Sequence, residues 1–259
     1  MSAAPDGAHS AATVVAYALR LGDDALVLAQ RLSQWVARAP EIEEDVAVAN
    51  IALDLLGQAR ALLTYAGERE GLGRTEDDLA FLREEREFRN VQLVEQENGD
   101  FARTVARQLL FSTYQHALYD RLSHSADARL AAIAGKAVKE VAYHRDHAVQ
   151  WTVRLGDGTA ESHRRMQAGL EGMWPFTSEL FEADDVVRRL AGAGVAVDPA
   201  GLEPDWTGVI EAVLAEATLV RPATDWRPGG GRRGVHTESF GYLVAEMQHL
   251  HRSYPGARW

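Results

Sequence analysis

Apolar residues recur at spacings of three and four along most of this chain, and the pattern predicts four long helices before residue 156. The first runs over 12–37, with Tyr17, Leu21, Ala25, Leu28, Leu32 and Trp35 as its stripe. Pro40 ends it and suits the start of the next helix, where Glu41, Glu43, Glu44 and Asp45 are favourable at an N-terminus. That second helix, over 41–63, is the part around which the rest is built. With successive residues about 100° apart on a helix, Val46, Val48, Ile51, Leu53, Leu55, Leu56, Leu62 and Leu63, with three alanines, cover well over half of its circumference. A surface helix has an apolar arc of about 100°, so this one is expected to be an inner helix with neighbours on several sides. Its exception is a narrow strip of Glu43, Asn50, Asp54 and Gln58 with the small Ala47 and Gly57.

Residues 67–75 read as a loop, and 76–89 as one short charged helix on the surface. Asn98 and Asp100 offer N-caps for a third long helix over 101–122. Ser125 or Asp127 offers one for a fourth that runs to about 154, with the stripe Leu130, Ile133, Ala137, Val141, His144, Ala148, Trp151 and Leu155. Glycines in 155–159 stop it. Two tight antiparallel pairs joined by a longer crossover are the order of a ferritin-like four-helix bundle. Beyond it, 162–171, 179–191, 206–217 and 237–254 read as accessory helices, and 195–197 as a short strand. The expected fold is therefore all-α, a ferritin-like four-helix bundle with additional C-terminal helices. Residues 1–11 are expected to be a flexible tail and 12–259 a single domain, with the core bundle over about 12–155 and accessory helices over about 156–259.

Composition narrows the chemistry. Cysteine is absent from the 259 residues, which excludes disulfides, thiolate metal sites and cysteine nucleophiles. A net charge of −11 argues against a general nucleic-acid binder, which relies on clustered Lys and Arg. No basic start with an apolar run, and no stretch of about 18 uncharged apolar residues, signals export or a membrane span. A soluble, cytoplasmic protein is expected.

A di-iron bundle needs one Glu from each of two helices and Glu-x-x-His from each of the other two, all facing inward at one level. The first helix offers Asp23 and Asp24, and the second offers Asp54 without any His. The third has no Asp or Glu between Asp100 and Asp120. In the fourth, Glu140 is followed three residues on by Tyr143, and His144 comes one residue late. The ligand set is incomplete, so no metal and no catalytic residue is expected here. Asp24, Asp54, Glu140 and His144 instead read as a vestigial buried polar cluster, joined with Asn50 or Gln58, because buried carboxylates need partners. The Glu246 and His249 pair lies outside the bundle and lacks a matching set. The loop 228–234, PGGGRRG, can cradle a phosphate or CoA with backbone amides, which makes Arg232 and Arg233 candidate contacts to CoA or a partner. It lacks the ending of a P-loop. Trp35, Trp151, Trp174 and Trp206 read as core or interface anchors.

The segments at 21–35, 43–63, 139–147 (KEVAYHRDH), 174–181 (WPFTSELF), 194–199 (GVAVDP) and 236–250 (HTESFGYLVAEMQHL) together resemble the C subunits of bacterial phenylacetyl-CoA 1,2-epoxidases. The resemblance implies a ferritin-like subunit without its own metal site, paired as a heterodimer with a homologous di-iron catalytic A subunit. It also implies a higher assembly with a B subunit and an NADPH-dependent reductase, in aerobic phenylacetate degradation. No cofactor, nucleic acid or membrane is implied for this chain, and no catalytic residue is carried over. Two other readings stay open at this point: a self-sufficient ferritin-like oxidase using Asp24, Asp54, Glu140 and His144, and a CoA-binding accessory protein using the 228–234 loop.

Overall fold

The computed structural model describes residues 11–257. Of the tail expected over 1–11, all but Ala11 lies outside the described residues, and Ala11 opens a helix. The helices are α1 (Ala11–Ser33), α2 (Ile42–Glu70), α3 (Glu76–Phe81), α4 (Gln92–Glu95), α5 (Phe101–Leu122), α6 (Ala128–Gly156), α7 (Ala160–Met173), α8 (Asp185–Ala191), α9 (Glu203–Glu216) and α10 (Glu238–Ser253). Among the described residues there is no strand. The segment 195–197 instead closes α8: Gly194 turns at φ 71° and the Val195 amide donates to the Leu190 carbonyl at 2.9 Å.

The bundle is the ferritin-like one. α1 packs along α2 and α5 along α6, while α2 meets α6 across the bundle. α7 lies on α5, α9 on α5 and α6, α8 and α10 on α1, and α3 on α2. Local chemistry sets the ends of the core helices. Asp100 caps α5 by accepting from the Arg103 amide at 2.9 Å, and Asp127 caps α6 through the amides of Arg129 and Leu130 at 3.0 Å. Asn98 has a different task, donating to the Arg31 carbonyl at 2.7 Å. α1 ends there, at Ser33 and not at 37, because Ala37 adopts φ 64° and its amide is taken by Asp45 at 3.0 Å. α2 runs on to Glu70, where Gly71 at φ 72° turns the chain.

Two accessory segments differ from expectation for a tertiary reason. The stretch 76–89 is no surface helix: α3 ends at Phe81, a 3-10 turn follows at Glu85–Glu87, and Arg83 and Phe88 are buried. Arg83 is drawn inward by Asp23, to which its Nη1 donates at 3.0 Å. In 179–191 the first part is a 3-10 turn, Trp174–Phe181, and α8 starts afresh with Asp184 accepting from the Val187 amide at 3.0 Å. The tryptophans serve as anchors. Trp206 and Trp174 are buried, Trp206 Nε1 donates to the Leu110 carbonyl at 2.9 Å, and Trp35 and Trp151 meet Phe101 edge to face at 5.8 and 5.0 Å between centroids.

α2 departs from its reading as an inner helix. Val48, Ile51, Leu55, Ala59, Leu62 and Leu63 are covered, yet Ile42, Val46, Leu53 and Leu56 are 76, 56, 64 and 47% exposed. By length and composition α2 is also the one described helix that could cross a membrane, but α1, α3 and α6 pack along its other side.

Candidate functional site

The four residues expected to share one buried network occupy two separate places. Asp24, on α1, is buried among cationic and amide donors: Arg232 donates to it from Nη1 at 3.0 Å and Nη2 at 2.7 Å, and the Val91 amide at 2.8 Å. Burial pushes the Asp24 carboxyl up to about 6, against the pull of the Arg232 guanidinium, so it is ionised at neutral pH. The same guanidinium donates to the carbonyls of Arg20 at 3.1 Å and Arg89 at 2.8 Å. Asp23, next in the chain and fully buried, has its own cation in Arg83 and accepts from the Arg89 amide at 2.8 Å.

Asp54, Glu140 and His144 lie elsewhere, where α2 faces α6. His144 Nε2 is 3.0 Å from Asp54 Oδ2. Burial holds the imidazole pKa below its ordinary value, against the attraction of Asp54. His144 is therefore neutral at pH 7 and donates Nε2–H to the carboxylate. Gln58 donates to Glu140 at 3.0 Å and accepts from Gln115 of α5 at 3.2 Å. Further along, His147 Nε2 is 2.8 Å from Glu44. Asn50 is exposed and, with Asp54, Tyr143, His144 and His147, lines an open cleft of about 520 Å³. Asp24, on α1, is met instead by Arg232 from the segment between α9 and α10.

These residues do not fit the ligand set of a di-iron centre. Such a centre needs inward carboxylates facing one another around shared cations. Here the α1 acids face guanidinium groups, and Glu140 is met from α2 by the amide of Gln58, which is itself bonded to the amide of Gln115 on α5. Among the described residues no three His, Asp or Glu side chains converge closely enough for a metal ion. Glu246 and His249 sit on the outer side of α10, where Glu246 accepts from Gln34 at 3.3 Å.

The glycine-rich loop does cradle an anion, and that anion belongs to the chain. Glu179 is buried, and its Oε1 accepts from the amides of Gly230 at 2.9 Å and Arg232 at 3.4 Å while Oε2 accepts from the Gln92 amide at 2.8 Å. Gly230 holds φ 110°, which side chains rarely adopt. With its amides on Glu179 and Arg232 committed to Asp24, this loop has no free phosphate cradle; Arg233 alone of its two arginines is exposed.

Several buried ionic residues are not apparent in the sequence: Arg83, Glu179 and the pair Glu95 with His236. Glu95 accepts from His236 Nδ1 at 2.7 Å and from the Thr237 amide at 2.6 Å, which ties the start of α10 to α4. One signal was present. Two adjacent acids on the apolar first helix demand two buried cations, and His, Asn and Gln partners alone do not meet that demand.

The chain is 50% identical over 246 residues to the C subunit of the 1,2-phenylacetyl-CoA epoxidase of Escherichia coli strain K12, across 95% of this chain and 99% of that protein. The model of the phenylacetic acid catabolic protein family matches residues 2–259, and the chain belongs to that family.

Proposed function

We propose that this chain is the non-catalytic structural subunit of a cytoplasmic phenylacetyl-CoA epoxidase complex, pairing with a homologous A subunit that holds the di-iron centre and performs the epoxidation in aerobic phenylacetate degradation. A B subunit and a reductase complete the assembly. The observation that carries the reading is the pairing of Asp24 with Arg232 inside a ferritin-like bundle. Where a di-iron bundle needs inward carboxylates around cations of its own, this chain supplies a guanidinium as the counter-ion of Asp24. A self-sufficient oxidase built from Asp24, Asp54, Glu140 and His144 is disfavoured by their separation, and a CoA-binding accessory role by the occupation of the glycine-rich loop by Glu179.

The test is iron content by mass spectrometry after refilling with ferrous iron, on the chain alone and co-purified with the A subunit. The expected result is no iron in the lone chain and about two irons per pair. Stoichiometric iron in the lone chain would overturn the proposal.

A further inference from the structure

We propose that the outward side of α2 is the surface on which the homologous catalytic subunit docks, and that it takes two partner helices, one in each of the clefts that flank α2. The proposal rests on the function proposed above. Ile42, Val46, Leu53 and Leu56 form an exposed apolar ridge, about 21 Å long at 1.5 Å per residue. Tyr143 of α6 stands beside it, 81% exposed. Single exposed leucines are ordinary on protein surfaces, but an apolar row of this kind marks an interaction site.

On one side of the ridge lies the α2/α6 cleft of about 520 Å³. On the other, between α2 and α3, is a cleft of about 360 Å³ lined by Leu26, Ala59, Leu63, Ala80 and Phe81. Helices pack by setting the ridges of one into the grooves of another, and a ridge between two grooves suits a pair of helices.

Charge distinguishes the two clefts and names the chemistry of the occupant. In the α2/α6 cleft Asp54, 41% exposed at its side chain, is met by the neutral His144 and not by a cation. Asp146 lines the same cleft, and its nearest cation, Arg145, is 3.8 Å away. Glu43 lies exposed toward the start of α2. The helix entering this cleft therefore presents an Arg or Lys. At the α2/α3 cleft Arg60 already pairs with Glu76 at 3.1 Å, and apart from the exposed Asp77 the remaining lining is apolar, so the second helix presents chiefly apolar side chains. A second copy of this chain is a poor match, because α2 has no Lys or Arg between Glu41 and Ala59 to meet the acidic cleft.

The experiment measures the affinity of the full-length chain for the A subunit by isothermal titration calorimetry at two ionic strengths. Leu53→Asp, whose fold is verified by circular dichroism, should weaken binding about a hundredfold or more, as a lost interface anchor does. Asp54→Asn with Asp146→Asn should weaken it about tenfold and flatten its salt dependence. Tyr242→Asp, on the exposed side of α10, should bind as the parent does. Unchanged binding by Leu53→Asp, or loss of binding through Tyr242→Asp, would overturn the surface. So would a homodimer that Leu53→Asp dissolves while affinity for the A subunit survives. Failure of the parent chain to bind the A subunit at all is a different result: it removes the proposed function itself.

Discussion

The two polar regions of the bundle treat their charges in opposite ways. Along α1, Asp23 and Asp24 are withdrawn from water, and each is answered by a guanidinium from a distant part of the chain. Where α2 meets α6, Asp54 and Glu44 are answered by imidazoles and Glu140 by an amide and the exposed Lys136, and Asp54 keeps contact with solvent. The first arrangement is closed: removing one partner strands a buried charge. The second is open and has room for a group from outside. Buried ionic groups in this fold therefore divide into those that hold the chain together and those left beside its unpartnered apolar side.

The strongest way to break this contrast is at Arg232. Arg232→Met should cost about 3–5 kcal/mol in urea unfolding, because Asp24 loses its counter-ion in a low-dielectric site. Adding Asp24→Asn should restore most of the loss. If the single change is as mild as an exposed substitution, the α1 region is not closed in the sense argued. Next in size is Glu179→Leu, which strands the amides of Gly230, Arg232 and Gln92; about 1–3 kcal/mol is expected, with faster hydrogen exchange at the Gly230 amide. The open region should respond less. His144→Leu is expected to cost about 1 kcal/mol or less in thermal unfolding, since solvent can take over at the half-exposed Asp54. Smallest of all, Leu53→Asp should leave the stability of the lone chain within about 0.5 kcal/mol of the parent.

Acidity sharpens the comparison further. Burial lowers the His144 pKa in the folded chain, while the unfolded value is about 6.5. The unfolded state thus binds more protons in the window below that value, and stability rises with pH there. The His144 contribution is complete above about pH 6.5 and declines as the pH falls toward the folded value. His116 shifts the same way, by burial and the charge of Arg145, so the test is the difference between parent and His144→Gln. The slope just below about pH 6.5 should be shallower in the variant. An identical slope would mean that His144 is protonated as readily in the fold as out of it.

The features legible from residues alone are those that local physics controls. The 3.6-residue period and the caps at Asp100 and Asp127 placed α5 and α6 almost to the residue, because a helix end depends on side chains within three or four positions. The order of four long helices made the bundle legible, and the missing Glu-x-x-His positions could be counted without coordinates. The tertiary structure alone decided the partners of the buried charges. Asp24 finds Arg232 and Asp23 finds Arg83 across long stretches of chain, and Glu179 fills the glycine-rich loop that, read alone, looks ready for a phosphate. It also decided that only one side of α2 is covered. Periodicity measures how much of a helix is apolar; which neighbours cover it is settled by long-range packing, which no local pattern encodes.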